Sequence, residues 1–153
     1  GAVSMKFTIQ NLLSSLAGVL KTGYPDRPVY TSPNQQGTEF PCFFIFLMPS
    51  SIEDGIGGRF LRDLGLDLVF VQQRNAANGN AEIQEVQEFL DQNLDKFLYY
   101  DESGSSAWLH TYEREASVED QELHYKFHVR PHVSAPIKEN QMQGVEENHV
   151  KIK

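Results

Sequence analysis

The spacing of apolar residues along this chain alternates between a helical period and a strand period, and each switch predicts an element. Ile9, Leu12, Leu13, Leu16 and Leu20 fall on one helical stripe, with Gly23 and Pro25 as a stop, so the first element is an amphipathic helix. Pro28 to Thr31 places Val29 and Tyr30 beside prolines, which restricts it to a short edge strand. The run Phe40 to Met48 is almost wholly apolar and predicts a strand buried on both faces. Part of its cover would then come from another subunit, because a chain of 153 residues supplies only two sizeable helices. Pro49 to Gly58 reads as a polar, Gly-rich connector. From Phe60 onward, Leu64, Leu66, Leu68 and Phe70 share one face and Asp63, Gly65 and Asp67 the other, predicting a half-exposed strand whose apolar face only Arg62 interrupts.

Asn80 is the predicted N-cap of a second helix of about four turns, with Ile83, Val86, Leu90, Leu94 and Phe97 at helical spacing. Leu98–Tyr100 is a short strand, DESGSS a turn, and Ala107–Glu115 a strand that SVEDQ reverses. The returning arm has Leu123, Tyr125, Phe127 and Val129 on one face against His124, Lys126, His128 and Arg130 on the other, and Pro131 ends it. The order is helix, strands, helix, strands. It predicts an α+β fold, two main helices packed on a mostly antiparallel or mixed sheet, as one domain over residues 5–131. Residues 132–153 carry few large apolar side chains and are expected to form an extended or disordered arm, and residues 1–4 ahead of Met5 read as a cloning scar.

Charge and composition narrow the partners. A net charge of -8 argues against nucleic-acid backbone or anionic membrane as the main partner, since both need an excess of Lys and Arg. No apolar run approaches the roughly 20 residues of a membrane span and no secretion signal is evident, so a soluble, cytoplasmically made protein is expected. Cys42 is the sole cysteine, which forbids an intrachain disulfide and suits core filling inside the apolar run.

Candidate chemistry is sparse. On a strand, His124 and His128 stand about 13 Å apart, too far to share one ion, and His110, His132 and His149 have no Cys partner. No G-x-S-x-G elbow is present and Cys42 does not start a helix, so nucleophilic catalysis has no support and the chain is not expected to be an enzyme. Glu82, Glu85, Glu88, Asp91 and Asp95 recur at the spacing of a water-facing helix side. Trp108, Tyr99, Tyr100 and Tyr112 suit core or interface packing better than base stacking in an acidic chain. What remains is assembly surface: the basic stripe His124, Lys126, His128 and Arg130 against Asp63, Asp67, Glu113 or Glu115, across strands or across subunits. Ile52, Ile56 and Arg59, in and after the Gly-rich connector, complete the candidate interface.

The run Q-G-T-E-F-P-C-F-F-I (Gln36–Ile45), preceded by the first helix and by P-V-Y (Pro28–Tyr30), resembles the tail terminator family of bacteriophages and prophages. G-R-F-L-R-D-L-G-L-D-L-V-F (Gly58–Phe70) is similar to that family as well, and the likeness of elements extends from Phe7 to Val129. The resemblance implies a small structural subunit of the virion tail, without cofactor or metal, assembled in the host cytoplasm. It also implies a homo-oligomeric ring, commonly a hexamer, that caps the tail tube, halts tube polymerisation and offers a docking surface to the head or neck. Self, the tube protein and a neck or head-completion protein are then the partners, with DNA passing through the ring. The alternatives are another neck or tail-tube component of similar fold, or a small-molecule-binding domain with a polar pocket.

Overall fold

The computed structural model describes residues 5–32, 37–54, 59–73 and 77–134. Its elements run α1 (Ile9–Gly23), β1 (Val29–Tyr30), β2 (Cys42–Leu47), β3 (Ser51–Asp54), β4 (Arg59–Val71), α2 (Gly79–Asn93), β5 (Lys96–Tyr100), β6 (Ser106–Glu119), β7 (Glu122–Val129) and β8 (His132–Ser134). The α+β class and the order of helices and strands are as the sequence predicts. Six strands form a mixed sheet in the order β1-β2-β4-β7-β6-β5, with β3 and β8 both paired to the first part of β4. Among the described strands only β1–β2 is parallel, and β1 is an edge strand.

Both helices cover one face. Leu12, Leu16 and Leu20 of α1 and Ile83, Val86 and Leu90 of α2 form one core with Phe43 and Ile45 of β2, Leu64–Phe70 on alternate positions of β4, and Leu123, Tyr125, Phe127 and Val129 of β7. Each such side chain contributes on the order of 1.5–3 kcal/mol by leaving water. Thr8 starts α1, its hydroxyl accepting the N–H of Asn11 at 3.0 Å. Tyr99 holds the chain just before it, donating its hydroxyl to Lys6 O at 2.6 Å and accepting the Thr8 N–H at 3.0 Å. At the other end of α1, the ring of Phe89 fills the space a Cβ on Gly23 would need, so glycine there lets α2 approach.

Several expectations are corrected. The apolar run is not a strand buried on both faces: it contracts to β2, whose Phe43 and Ile45 are buried while Phe44 and Phe46 are half-buried and Leu47 is 44% exposed. The strand that is shielded on both sides is β4, because it is central, paired to β2 and β7, and even Gly65 and Val69 on its outer face are buried. The Pro49–Gly58 connector contains β3, which pairs Ser51–Asp54 with Asp63–Phe60; residues 55–58 lie outside the described residues. The second helix is capped by Asn78, two residues before the predicted cap, and ends at Asn93, so Phe97 reaches the core from β5 rather than from a longer helix. β6 extends to Glu119, and the reversal is only Asp120-Gln121, both with positive φ (51° and 65°), as a two-residue hairpin turn requires. Beyond Pro131 the chain is not all arm: His132–Ser134 pairs with β4, while residues 135–153 and 1–4 lie outside the described residues.

Candidate functional site

The sheet face turned away from the helices carries the sequence-predicted interface residues. Because directly paired residues share a face, register arranges them in rows. Phe46, Asp67, Lys126 and Glu115 form one row across β2, β4, β7 and β6; Phe44, Val69, His124 and Ser117 form the next; Gly65, His128 and Tyr112 form a third.

Side-chain pairing on this face is diagonal rather than along rows. His124 Nδ1 lies 3.0 Å from Asp67 Oδ2, and His128 Nδ1 lies 2.7 Å from Asp63 Oδ1. The row partner of His128 is Gly65, whose lack of a side chain lets the imidazole lie across the strand and reach Asp63. Arg130 extends the cluster: its Nε is 3.6 Å from Asp63 Oδ2, its Nη2 donates to Glu113 at 2.5 Å, and its guanidinium stacks 4.6 Å over Tyr112. Glu113 arrives there because β6 bulges between Tyr112 and Glu115, with Glu113 itself in the left-handed region at φ 56°. Glu113 keeps the half-exposed Arg130 guanidinium charged to still higher pH than usual. Glu122 sits 3.6 Å from His124 Nε2. Asp67 Oδ1 is buried and finds no hydrogen-bond partner among the described residues.

Of the two arrangements the sequence allowed, the basic stripe thus meets Asp63, Asp67 and Glu113 across strands of one chain. Glu115 faces Lys126 in register, and no ion pair joins them among the described residues. Ile52 lies on β3, exposed, opposite Arg62; Arg59 pairs with Ser134 in the ladder; Ile56 is outside the described residues. These partly exposed pairs each contribute little to stability, on the order of 0–1 kcal/mol, so their chief effect is to print a fixed pattern of charge on the open face.

Beside the charged zone lies an aromatic one, on the face of the apolar run opposite Phe43 and Ile45. Phe44 and Phe46 stack at 5.6 Å with 5° between ring planes, and Tyr30 adds a third ring 5.4 Å from Phe44. The signal was available in the i, i+2 spacing of Phe44 and Phe46, once β2 is placed one strand from the edge.

The remaining candidates separate by position. Tyr99 is core, whereas Tyr100, Trp108 and Tyr112 are exposed, with Lys96 Nζ 4.9 Å over the indole of Trp108. Glu85 and Glu88 on α2 and Asp95 just after it face water, but Glu82 accepts from Arg27 at 2.7 Å and Asp91 from the Tyr125 hydroxyl at 2.8 Å. Burial raises the Tyr125 hydroxyl to about 12, aided by that bond to Asp91. Burial, then the Glu122 carboxylate, raises the Cys42 thiol to about 11, so at neutral pH it is protonated and a poor nucleophile. Among the described residues no group of three His, Cys, Asp or Glu side chains is placed to hold a metal ion. The arrangement is a half-covered aromatic stripe beside a braced pattern of charges, both suited to contact with a partner surface.

No curated protein matches the chain. A family model described as phage tail terminator protein matches residues 11–141, from the first turn of α1 through β8 and beyond. The span covers most of the chain and every described strand, and so the chain belongs to the phage tail terminator protein family, structural components of the virion tail.

Proposed function

We propose that the protein closes as a ring, a hexamer of identical subunits, on the end of the phage tail tube, where it stops tube polymerisation and presents the surface that joins the head or neck. Assembly takes place in the host cytoplasm, and DNA passes through the ring. The observation that carries this reading is the half-open Phe44–Phe46 stack next to the Asp63, His128, Arg130 and Glu113 cluster on the helix-free face. Ring closure is heterologous: one patch of each subunit meets a different patch of the next, so an apolar strip and a patterned charged strip side by side supply the two kinds of complementarity required.

The test is a Phe44→Asp/Phe46→Asp double variant in the phage and as purified protein. It should melt as a folded protein, fail to form a ring by sedimentation, and leave tails that run past their normal length under the electron microscope. Rings and tails of normal length from the folded variant would remove the aromatic stripe as the closing surface. Tails of normal length from phage lacking the gene altogether would remove the capping function itself.

A further inference from the structure

The helix-free face carries a second aromatic site, diagonally across from the Phe44–Phe46 stack. Trp108, His110 and Tyr112 alternate along β6 and so share a face, to which register with β5 adds Lys96 and Leu98. Tyr112 stands in the row of His128, which identifies that face as the open one. Trp108 is 55% exposed, and Lys96 Nζ lies 4.9 Å over its ring. An indole and an ammonium group are thus offered from one point. Among the described residues Lys96 forms no ion pair, with neighbouring Asp95 or with any other carboxylate.

A cavity of about 650 Å³ opens at the opposite corner. Phe40, 49% exposed, and Phe44 give it aromatic walls, Val71 adds an aliphatic one, and Asp120 and Glu122 supply carboxylates. No described residue of its lining is Lys, Arg or His. The row of Phe44 ends on β6 at Ser117, whereas Trp108 stands near the start of that strand, so the two sites lie apart on one face. The hairpin tip beside the cavity is short of positive charge: Glu119 stands directly opposite Glu122 in the ladder, and Asp120 lies in the turn between them. Among the described residues the one ion pair these three carboxylates make is that of Glu122 with His124 Nε2, at 3.6 Å. Like charges in direct register destabilise a strand pair, and an arriving cation relieves them.

We propose that Trp108 and Lys96 of one copy enter this cavity on the next copy in the ring, an inference that rests on the ring reading above. The indole packs against Phe40 and Phe44, and the ammonium group reaches Asp120 and Glu122. Each side supplies what the other lacks: aromatic walls for an exposed indole, and carboxylates for a cation without an ion pair. Because the two sites are different surfaces of one subunit, the contact repeats head to tail, as ring closure requires.

Exchanging the charges of the two sides makes the test direct. Full-length Lys96→Glu and Glu122→Lys chains should each melt as folded proteins, the second because its lysine faces Glu119 in the ladder. Followed by sedimentation, each alone should need about tenfold more protein, or more, to form rings, since like charges then meet at every contact. An equal mixture of the two should assemble as the wild type does, because alternating copies restore opposite charges at every contact of an even-numbered ring. Trp108 is the sole tryptophan, so its emission should shift to shorter wavelength and resist acrylamide quenching in the wild-type ring. Single variants that assemble as the wild type does, or a mixture no better than either alone, overturn the inference. A wild-type ring whose Trp108 is quenched as readily as in the dispersed subunit overturns it while leaving the ring reading in place. Absence of any wild-type ring by sedimentation, with or without tail tube, overturns both.

Discussion

The imidazole of His128 lies across Gly65, with its Cε1 3.4 Å from the position a Cβ on that glycine would occupy. Gly65 is therefore part of the charged cluster without carrying a charge: it leaves the room through which His128 Nδ1 reaches Asp63 at 2.7 Å. Met48 Cβ stands 3.3 Å from the same point on the other side, so a branched side chain has nowhere to go. Gly65→Val should displace His128 from Asp63 and destabilise the fold by roughly 1–3 kcal/mol, an overpacking cost that a urea midpoint would read. A variant with wild-type midpoint would show that the ring and Met48 move aside freely.

The β6–β7 turn offers a change in the opposite direction. Asp120 and Gln121 both hold positive φ, a conformation that a Cβ makes unfavourable by roughly 1–2 kcal/mol and that glycine adopts freely. Gln121 contributes to the turn through its backbone carbonyl, which accepts from Gln72 Nε2 at 3.3 Å and survives substitution. Gln121→Gly should raise stability by about 1 kcal/mol, seen as a higher thermal midpoint with unchanged far-ultraviolet dichroism. An unchanged or lower midpoint would mean that the side chain has a role beyond the turn.

The two faces of β2 should respond differently to truncation. Phe43 is fully buried, against Tyr24 at 5.6 Å and Phe70 at 5.2 Å, so Phe43→Ala should cost the isolated subunit about 3–5 kcal/mol. Phe46 is half-buried, with the Phe44 ring beside it, and Phe46→Ala should cost well under half as much. Urea unfolding of dilute protein compares them directly. Equal losses would mean that the second face of β2 is as tightly enclosed as the first.

That contrast marks where the sequence stopped being legible. Leu123, Tyr125, Phe127 and Val129 alternate with charged residues, and this period alone located β7 and its buried face. The apolar run around Phe43–Phe46 has no such contrast, so its period is silent about which face is covered; only the sheet order, with β2 between the edge strand β1 and β4, decides it. Phe97 extended the helical stripe of α2 by coincidence of spacing, and the helix stopped at Asn93 because β5 could reach the same core from another direction. The charged residues of the candidate surface were readable as a set. Their diagonal pairing was not, because it depends on the room at Gly65 and on the bulge that brings Glu113 to Arg130.

Tyr125 ties the helix layer to the sheet and should give stability a defined alkaline limit. Its hydroxyl donates to Asp91 of α2 at 2.8 Å and lies 3.3 Å from Arg114 Nη1. Burial first, and the bond to Asp91 next, raise its titration from 10.0 to about 12. The unfolded chain loses this proton from about pH 10, whereas the folded chain holds it until about pH 12, so the unfolded state binds fewer protons across that window. Stability from this group is complete below pH 10 and declines as pH rises from 10 to 12. Cys42 adds a decline in the same direction, from its ordinary 9.0 to about 11, and Tyr24, raised by burial, adds to it. Urea midpoints of wild type, Tyr125→Phe and Cys42→Ala, taken from pH 7 to pH 12, separate the contributions: the tyrosine variant should lose stability at neutral pH, where Asp91 forfeits its donor, and show a shallower fall above pH 10. The cysteine variant should instead flatten the fall between pH 9 and 11. A Tyr125→Phe profile parallel to wild type throughout would show that Tyr125 titrates alike in the folded and unfolded chain.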